Sequence, residues 1–378
     1  MTYDLLIKGG TVIDPSQGLH EVRDVAVSDG KIVSVDTGIP ESRDSEVVDA
    51  DGLLVVPGLL DLHVHSFWGV SAFGVNPDTS HLANGVTTAL DAGSAGANTF
   101  AGFRKYVLER CGTRHLALLN ISSMGLISHD IGELEDLRWA DVDAAVRVGR
   151  ANRDRILGIK VRLSKATTGT HDMDSLKRAL EAAEGLGRFV MVHIGNTETP
   201  LEKLTALLRP GDVVTHAFTG HPHGVLDDAG KVIAGIAEAQ RWGVIFDIGH
   251  GAGSFSFDVA EKALSQGFFP DNISSDLHAF NIEGPVFDQV TVLSKFLWLG
   301  MSLDKVIGLS TQATARTMGL DGGLGTLRVG AEADVTLLRL DEGRFTFTDA
   351  MGRSVTADEK LSHVTTVRAG QVYRPWQS

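Results

Sequence analysis

The stretch Pro57-Gly58-Leu59-Leu60-Asp61-Leu62-His63-Val64-His65 decides how the chain reads. Pro-Gly marks a change of direction. The apolar run behind it reads as a buried strand. Side chains at i and i+2 of a strand share a face, so His63 and His65 can hold one metal ion together. A His-x-His pair alone is weak evidence. It gains weight from polar residues that recur at strand ends further on: Lys160, His193, His216 and Asp276.

Around that stretch the chain alternates strands with helical runs. Strands are expected at residues 60–65, 87–91, 115–121, 158–163, 189–193, 212–216, 244–248 and 273–276, with helical segments at 174–186, 226–242 and 257–266. Eight β-α units in about 250 residues is the rhythm of a (β/α)8 TIM barrel. A doubly wound open sheet is the alternative. The barrel is preferred because the polar residues sit at C-terminal strand ends, where barrel enzymes place their chemistry. Residues 1–55 read as short strands with tight turns, Asp29-Gly30 being a type I′ hairpin signal. Short strands return after a helix near 313–318. The expected α/β architecture is a barrel over 56–319, with a small composite β-sandwich from 1–55 and 320–378.

Bulk properties narrow the function. The 378 residues carry a formal net charge of −14, which argues against nucleic acid or anionic membrane as partner. No apolar run approaches the ~20 residues of a membrane span, and the first eight residues lack signal-peptide features. Cys111 is the only cysteine, so a metal must be held by nitrogen and oxygen donors. A cytoplasmic location is the expectation.

Lys160 lies in Gly158-Ile159-Lys160-Val161-Arg162-Leu163, with Arg162 and Ser164 on its face. An unpaired ammonium inside a barrel mouth is costly. A neutral amine can instead take up carbon dioxide, giving a carbamate whose two oxygens can bridge two cations. Lys165 competes for that role but falls off the inward alternation. His193 and His216 close apolar strands, where an imidazole has little packing use. Asp276 closes Ile273-Ser274-Ser275-Asp276, where a helix N-cap is the competing explanation.

These residues, with Gly85-Val86-Thr87-Thr88-Ala89-Leu90-Asp91-Ala92-Gly93-Ser94 and the segment Gly325-Thr326-Leu327 to Asp334, resemble the amidohydrolase superfamily, in its binuclear, dihydroorotase-like branch and its amidohydrolase/deacetylase members. The resemblance covers nearly the whole chain. It implies two divalent cations, usually zinc. His63, His65 and Asp276 would hold one and His193 and His216 the other, with carboxylated Lys160 and a hydroxide bridging both. Asp276 would serve as general base. The implied reaction is removal of an acyl group, acetyl foremost, from a small amide or ester. The alternatives are opening of a cyclic amide, as in dihydroorotase or hydantoinase, and a catalytically silent scaffold. Oligomers of one chain are the family habit.

Substrate contacts are expected from Arg162, which can hold a substrate carboxylate, and from Ser94, His221, His223, His250 and His278 on loops after the strands. Residues 124–139 are a candidate lid.

Overall fold

The computed structural model describes residues 3–43 and 45–373. The outermost residues of the units expected at 1–55 and 320–378 therefore lie outside the described residues.

Seven parallel strands follow one another in chain order: Leu59–Val64, Val86–Gly96, Arg114–Asn120, Ile156–Leu163, Phe189–Ile194, Val213–Thr215 and Ile245–Asp247. They are apolar and almost wholly buried, as expected of strands covered on both faces. The eighth position is taken by residues 272–277, which close the ring without forming a regular strand. Asn272 bridges Asp247 on one side and Leu277 bridges Val64 on the other. Asp276 N–H donates to His63 O at 2.7 Å, and His65 N–H to Leu277 O at 3.0 Å. The ladder breaks because Asp276 has φ +49°, outside the β region. Buried Asp61 reinforces this seam, accepting the N–H groups of His63 and Ser275 and the Ser275 hydroxyl.

Helices Asp172–Leu186 and Phe257–Ser265 lie near their expected positions. The run expected to be helical over 226–242 is helical only from Ala234 to Trp242. Asp227 is the reason for the difference. Its carboxylate accepts the N–H groups of Ala229 and Lys231, which favours a turn over a helix.

Both chain ends build a second, eight-stranded sheet. Strands Leu5–Asp14, Leu19–Ser28, Lys31–Asp36 and Leu54–Pro57 join Val335–Thr348, Ser354–Arg368 and Gln371–Tyr373 in one hydrogen-bonded path, and Glu46–Asp49 pairs with Leu5–Asp14 off that path. Asp29 and Gly30 have φ +49° and +70°, as a type I′ turn requires. The sheet curls on itself, so that Ile32 N–H reaches Ala331 O and Ala333 N–H reaches Gly30 O. Leu5, Ile7, Val12, Val25, Val55 and Val335 fill the inside. The far end of the long hairpin leaves this sheet, and Phe347, Ala357 and Leu361 join the barrel's core.

Arg114, at the start of the third barrel strand, ties the two parts together. It pairs with Asp334 and Glu332 ahead of the C-terminal hairpin and donates to Thr88 Oγ1 at 2.9 Å. Its side chain is 16% exposed and that of Asp334 5%. Arg114→Leu should strand a buried carboxylate and lower unfolding free energy by roughly 3 kcal/mol, read as a shifted urea midpoint. A midpoint equal to wild type would show that this tie does not hold the sheet to the barrel.

Candidate active site

The C-terminal ends of the barrel strands bring six of the expected side chains to one pole. His63 Nε2 and His65 Nε2, from the first strand, both stand 3.2 Å from Asp276 Oδ1. His216 Nε2 is 4.0 Å from Asp276 Oδ2 and 2.7 Å from His193 Nδ1. Lys160 Nζ reaches His63 Nε2 at 3.2 Å and Met191 Sδ at 3.4 Å. Among the described residues, His63, His216 and Asp276 form a group that could hold a metal ion.

Two of these residues sit in strained backbone. His216 has φ +71° and Asp276 φ +49°, in the left-handed region that non-glycine residues seldom occupy. Such strain gathers where a side chain must be aimed rather than merely packed. Asp276 therefore acts as no helix cap. It turns its carboxylate back over the barrel axis.

The imidazoles have the protonation a metal ligand needs. Burial, followed by the charge of Lys160, holds His63 well below its ordinary range. Burial likewise brings His65 down to about 3 and His216 to about 4. Neutral rings offer lone pairs. Their remaining nitrogens are anchored, His63 Nδ1 to Thr215 Oγ1 at 2.8 Å, His65 Nδ1 to Ser94 Oγ at 2.9 Å and His216 Nδ1 to Gly249 O at 2.6 Å. Each anchor turns the free Nε2 toward the shared centre. Asp276 Oδ1 is buried there without a hydrogen-bond donor. An orphaned carboxylate oxygen facing bare imidazole nitrogens fits a cation between them.

Lys160 is fully buried, and among the described residues no carboxylate lies within hydrogen-bonding distance of it. Burial lowers its amine to about 7, against an ordinary 10.5. A substantial neutral fraction thus exists at neutral pH. Gly93, at φ +84°, makes room for it, since a Cβ there would lie 2.6 Å from the Lys160 Cβ. Lys165 instead reaches out to Glu198.

Above the cluster opens a cavity of about 800 Å³, lined among others by Arg162, His193, His221, Asp276, His278 and Phe280. Of the residues expected to touch substrate, Arg162, His221 and His278 line it, and the other three stand elsewhere. Ser94 is buried behind His65. His223 lines a neighbouring pocket, its Nδ1 on Thr197 O. His250 is buried against Phe255, its Nε2 taking a hydrogen bond from Lys295 Nζ at 2.7 Å.

Residues 124–139 supply one wall through Ser128, His129, Asp130 and Ile131. Glu133, buried beneath, accepts from Arg162 Nη1 at 3.1 Å. Sequence reasoning passed over His129 and Glu133, and nothing local distinguishes them from ordinary loop residues. Among the described residues no helix is long and apolar enough to cross a membrane.

No family model matches the chain. A deacetylase of Enterococcus faecalis (strain ATCC 700802 / V583) is 34% identical over 376 residues, covering 99% of this chain and 100% of that one. Among solved structures, an adenine deaminase superposes with a TM-score of 0.91 at 33% identity, covering 99% of this chain and 100% of that one. A dihydroorotase does so with a TM-score of 0.90 at 32% identity, covering 98% and 99%. Full-length likeness to these enzymes, joined to a barrel mouth whose donors suit a metal, makes this chain a member of the amidohydrolase superfamily and a hydrolytic enzyme.

Proposed function

We propose that the enzyme removes an acyl group, acetyl foremost, from a small amide or ester bearing a carboxylate. The observation that carries this reading is the convergence of Asp276, four neutral imidazoles and an uncharged-capable Lys160 under one open cavity. His63, His65 and Asp276 would hold one divalent cation and His193 and His216 a second, with carboxylated Lys160 between them. Imidazole and carboxylate donors suit zinc. When bound, such cations acidify a water and polarise the scissile carbonyl.

The remaining work falls to the chain. Neutral Lys160 adds its amine to carbon dioxide and releases a proton, giving a carbamate with two donor oxygens. Asp276 lies at the cavity floor, 7% exposed, where its carboxylate can take a proton from water and pass it to the departing nitrogen or oxygen. Arg162 spends one nitrogen on Glu133 and keeps part of its guanidinium toward the cavity, where a substrate carboxylate can be held. Residues 128–131 form one wall of the cavity beside the reacting atoms.

A relative named deacetylase over its whole length supports acyl removal. The solved dihydroorotase favours a second reading, opening of a cyclic amide on the same donors. A screen of N-acetyl and O-acetyl small acids beside dihydropyrimidines and hydantoins separates the two. Acetate release supports the first, and ring opening without acetate release overturns it.

Three outcomes are expected. Asp276→Asn should lower kcat by roughly 1,000-fold or more while metal analysis still finds most of the metal, because the side chain keeps its shape and one oxygen. Lys160→Ala should fall from about two metals per chain to one or fewer. Added propionate with zinc should restore part of the metal and turnover, since a free carboxylate can stand where the carbamate would. Arg162→Leu should raise KM for acyl acids by roughly 10- to 100-fold and leave uncharged acyl esters nearly unaffected. An equal loss on both substrate types would remove Arg162 from carboxylate recognition.

A further inference from the structure

Asp247 ends the seventh barrel strand, is fully buried, and lies outside the proposed ligand set. Its Oδ2 accepts two hydroxyl hydrogen bonds, from Thr215 Oγ1 and from Ser274 Oγ, each at 2.7 Å. Each hydroxyl has one proton, and the carboxylate takes both. The consequences run in two directions.

Along the first, Thr215 Oγ1 has only lone pairs left to offer His63 Nδ1 at 2.8 Å. That nitrogen must carry the hydrogen, so Nε2 is bare where it faces Asp276 and Lys160. Along the second, Ser274 Oγ accepts the N–H of Gly249 at 2.9 Å. This holds Gly249, whose own carbonyl, in the following peptide unit, accepts from His216 Nδ1 at 2.6 Å. His216 Nε2 is bare in turn. Position 249 must be glycine for both branches. Its φ is +46°, and a Cβ there would stand 2.3 Å from Thr215 Oγ1 and 3.0 Å from His216 Nδ1.

We infer that Asp247 is a positioning residue, one buried carboxylate that sets the tautomer and aim of His63 through Thr215 and the aim of His216 through Ser274 and Gly249. A carboxylate usually serves one ligand histidine directly. Here two hydroxyls divide one carboxylate between histidines assigned to different cations. His65 lies outside this arrangement, anchored by Ser94, whose N–H donates to Asp91. The inference rests on the two-cation reading above.

The test is zinc affinity of the purified enzyme, measured by competition with a chromophoric chelator, alongside melting temperature. Asp247→Asn should weaken zinc at both positions by roughly 10- to 100-fold. Thr215→Val should weaken only one position, and Thr215→Ser, which keeps the hydroxyl, should behave as wild type. Ser274→Ala tests the His216 branch alone should Asp247→Asn fail to fold, and is expected to weaken the other position. Wild-type affinity at both positions in Asp247→Asn or Ser274→Ala, with only the melting temperature lowered, overturns the inference. So does a Thr215→Ser variant as weak as Thr215→Val. Failure of the two-cation reading looks different, because wild type itself would then bind one zinc. In that case an unchanged affinity of that zinc in Asp247→Asn still overturns the inference, and a weakened one upholds it.

Discussion

Closure of the barrel between its first strand and residues 272–277 is the constraint on which the rest of the molecule depends. The seam is a set of backbone hydrogen bonds, with Asp276 N–H on His63 O and His65 N–H on Leu277 O, and Asp61 stitches it from the inside. Because the ring closes there, the first and last chemically active segments of the barrel become neighbours. Asp276 is then held against two histidines more than two hundred residues earlier in the chain. The positive φ of Asp276 is the local cost of that placement, of order 1 kcal/mol, and the surrounding hydrogen bonds hold the residue in it.

Burial then does the chemical preparation. The same desolvation that keeps the imidazoles neutral lowers the Lys160 amine to about 7 and pushes the Asp61 and Asp247 carboxyls up to about 7. Bases suited to binding a cation are thus produced by removing water from around them, before any cation arrives. The Thr215 hydroxyl links His63 to buried Asp247, the Ser274 hydroxyl links the Gly249 N–H to the same carboxylate, and the Ser275 hydroxyl links the Leu277 N–H to Asp61. Hydroxyls suit the task because each accepts one hydrogen bond while donating another.

The accessory sheet contributes by anchoring. Arg114 fastens it at the base of the barrel, while the long hairpin reaches the other way and packs its tip on the barrel core. Lys295, buried between barrel and hairpin, donates to Thr348 O and to His250 Nε2. His250, whose loop position suggests a substrate contact, is in this way part of the join between the two structural layers.

Much of this was legible in the chain itself. Apolar runs of strand length, five of the eight ended by a histidine or aspartate and one carrying Lys160, identify the barrel and its reactive pole, because a polar group on a buried strand is costly unless used. Asp29-Gly30 marks its hairpin for an equally local reason. What only the tertiary structure decided lies between segments distant in the chain. Residues 226–232 yield their helical pattern to the hydrogen bonds of Asp227. Of the six residues expected to touch substrate, three reach the cavity. The sharing of Asp247 between two histidines depends on which strands lie side by side. Sequence determines which groups are available and which strand ends carry them. Their aim depends on backbone torsion, barrel closure and the proton count of buried hydroxyls, and these exist only once the chain has folded.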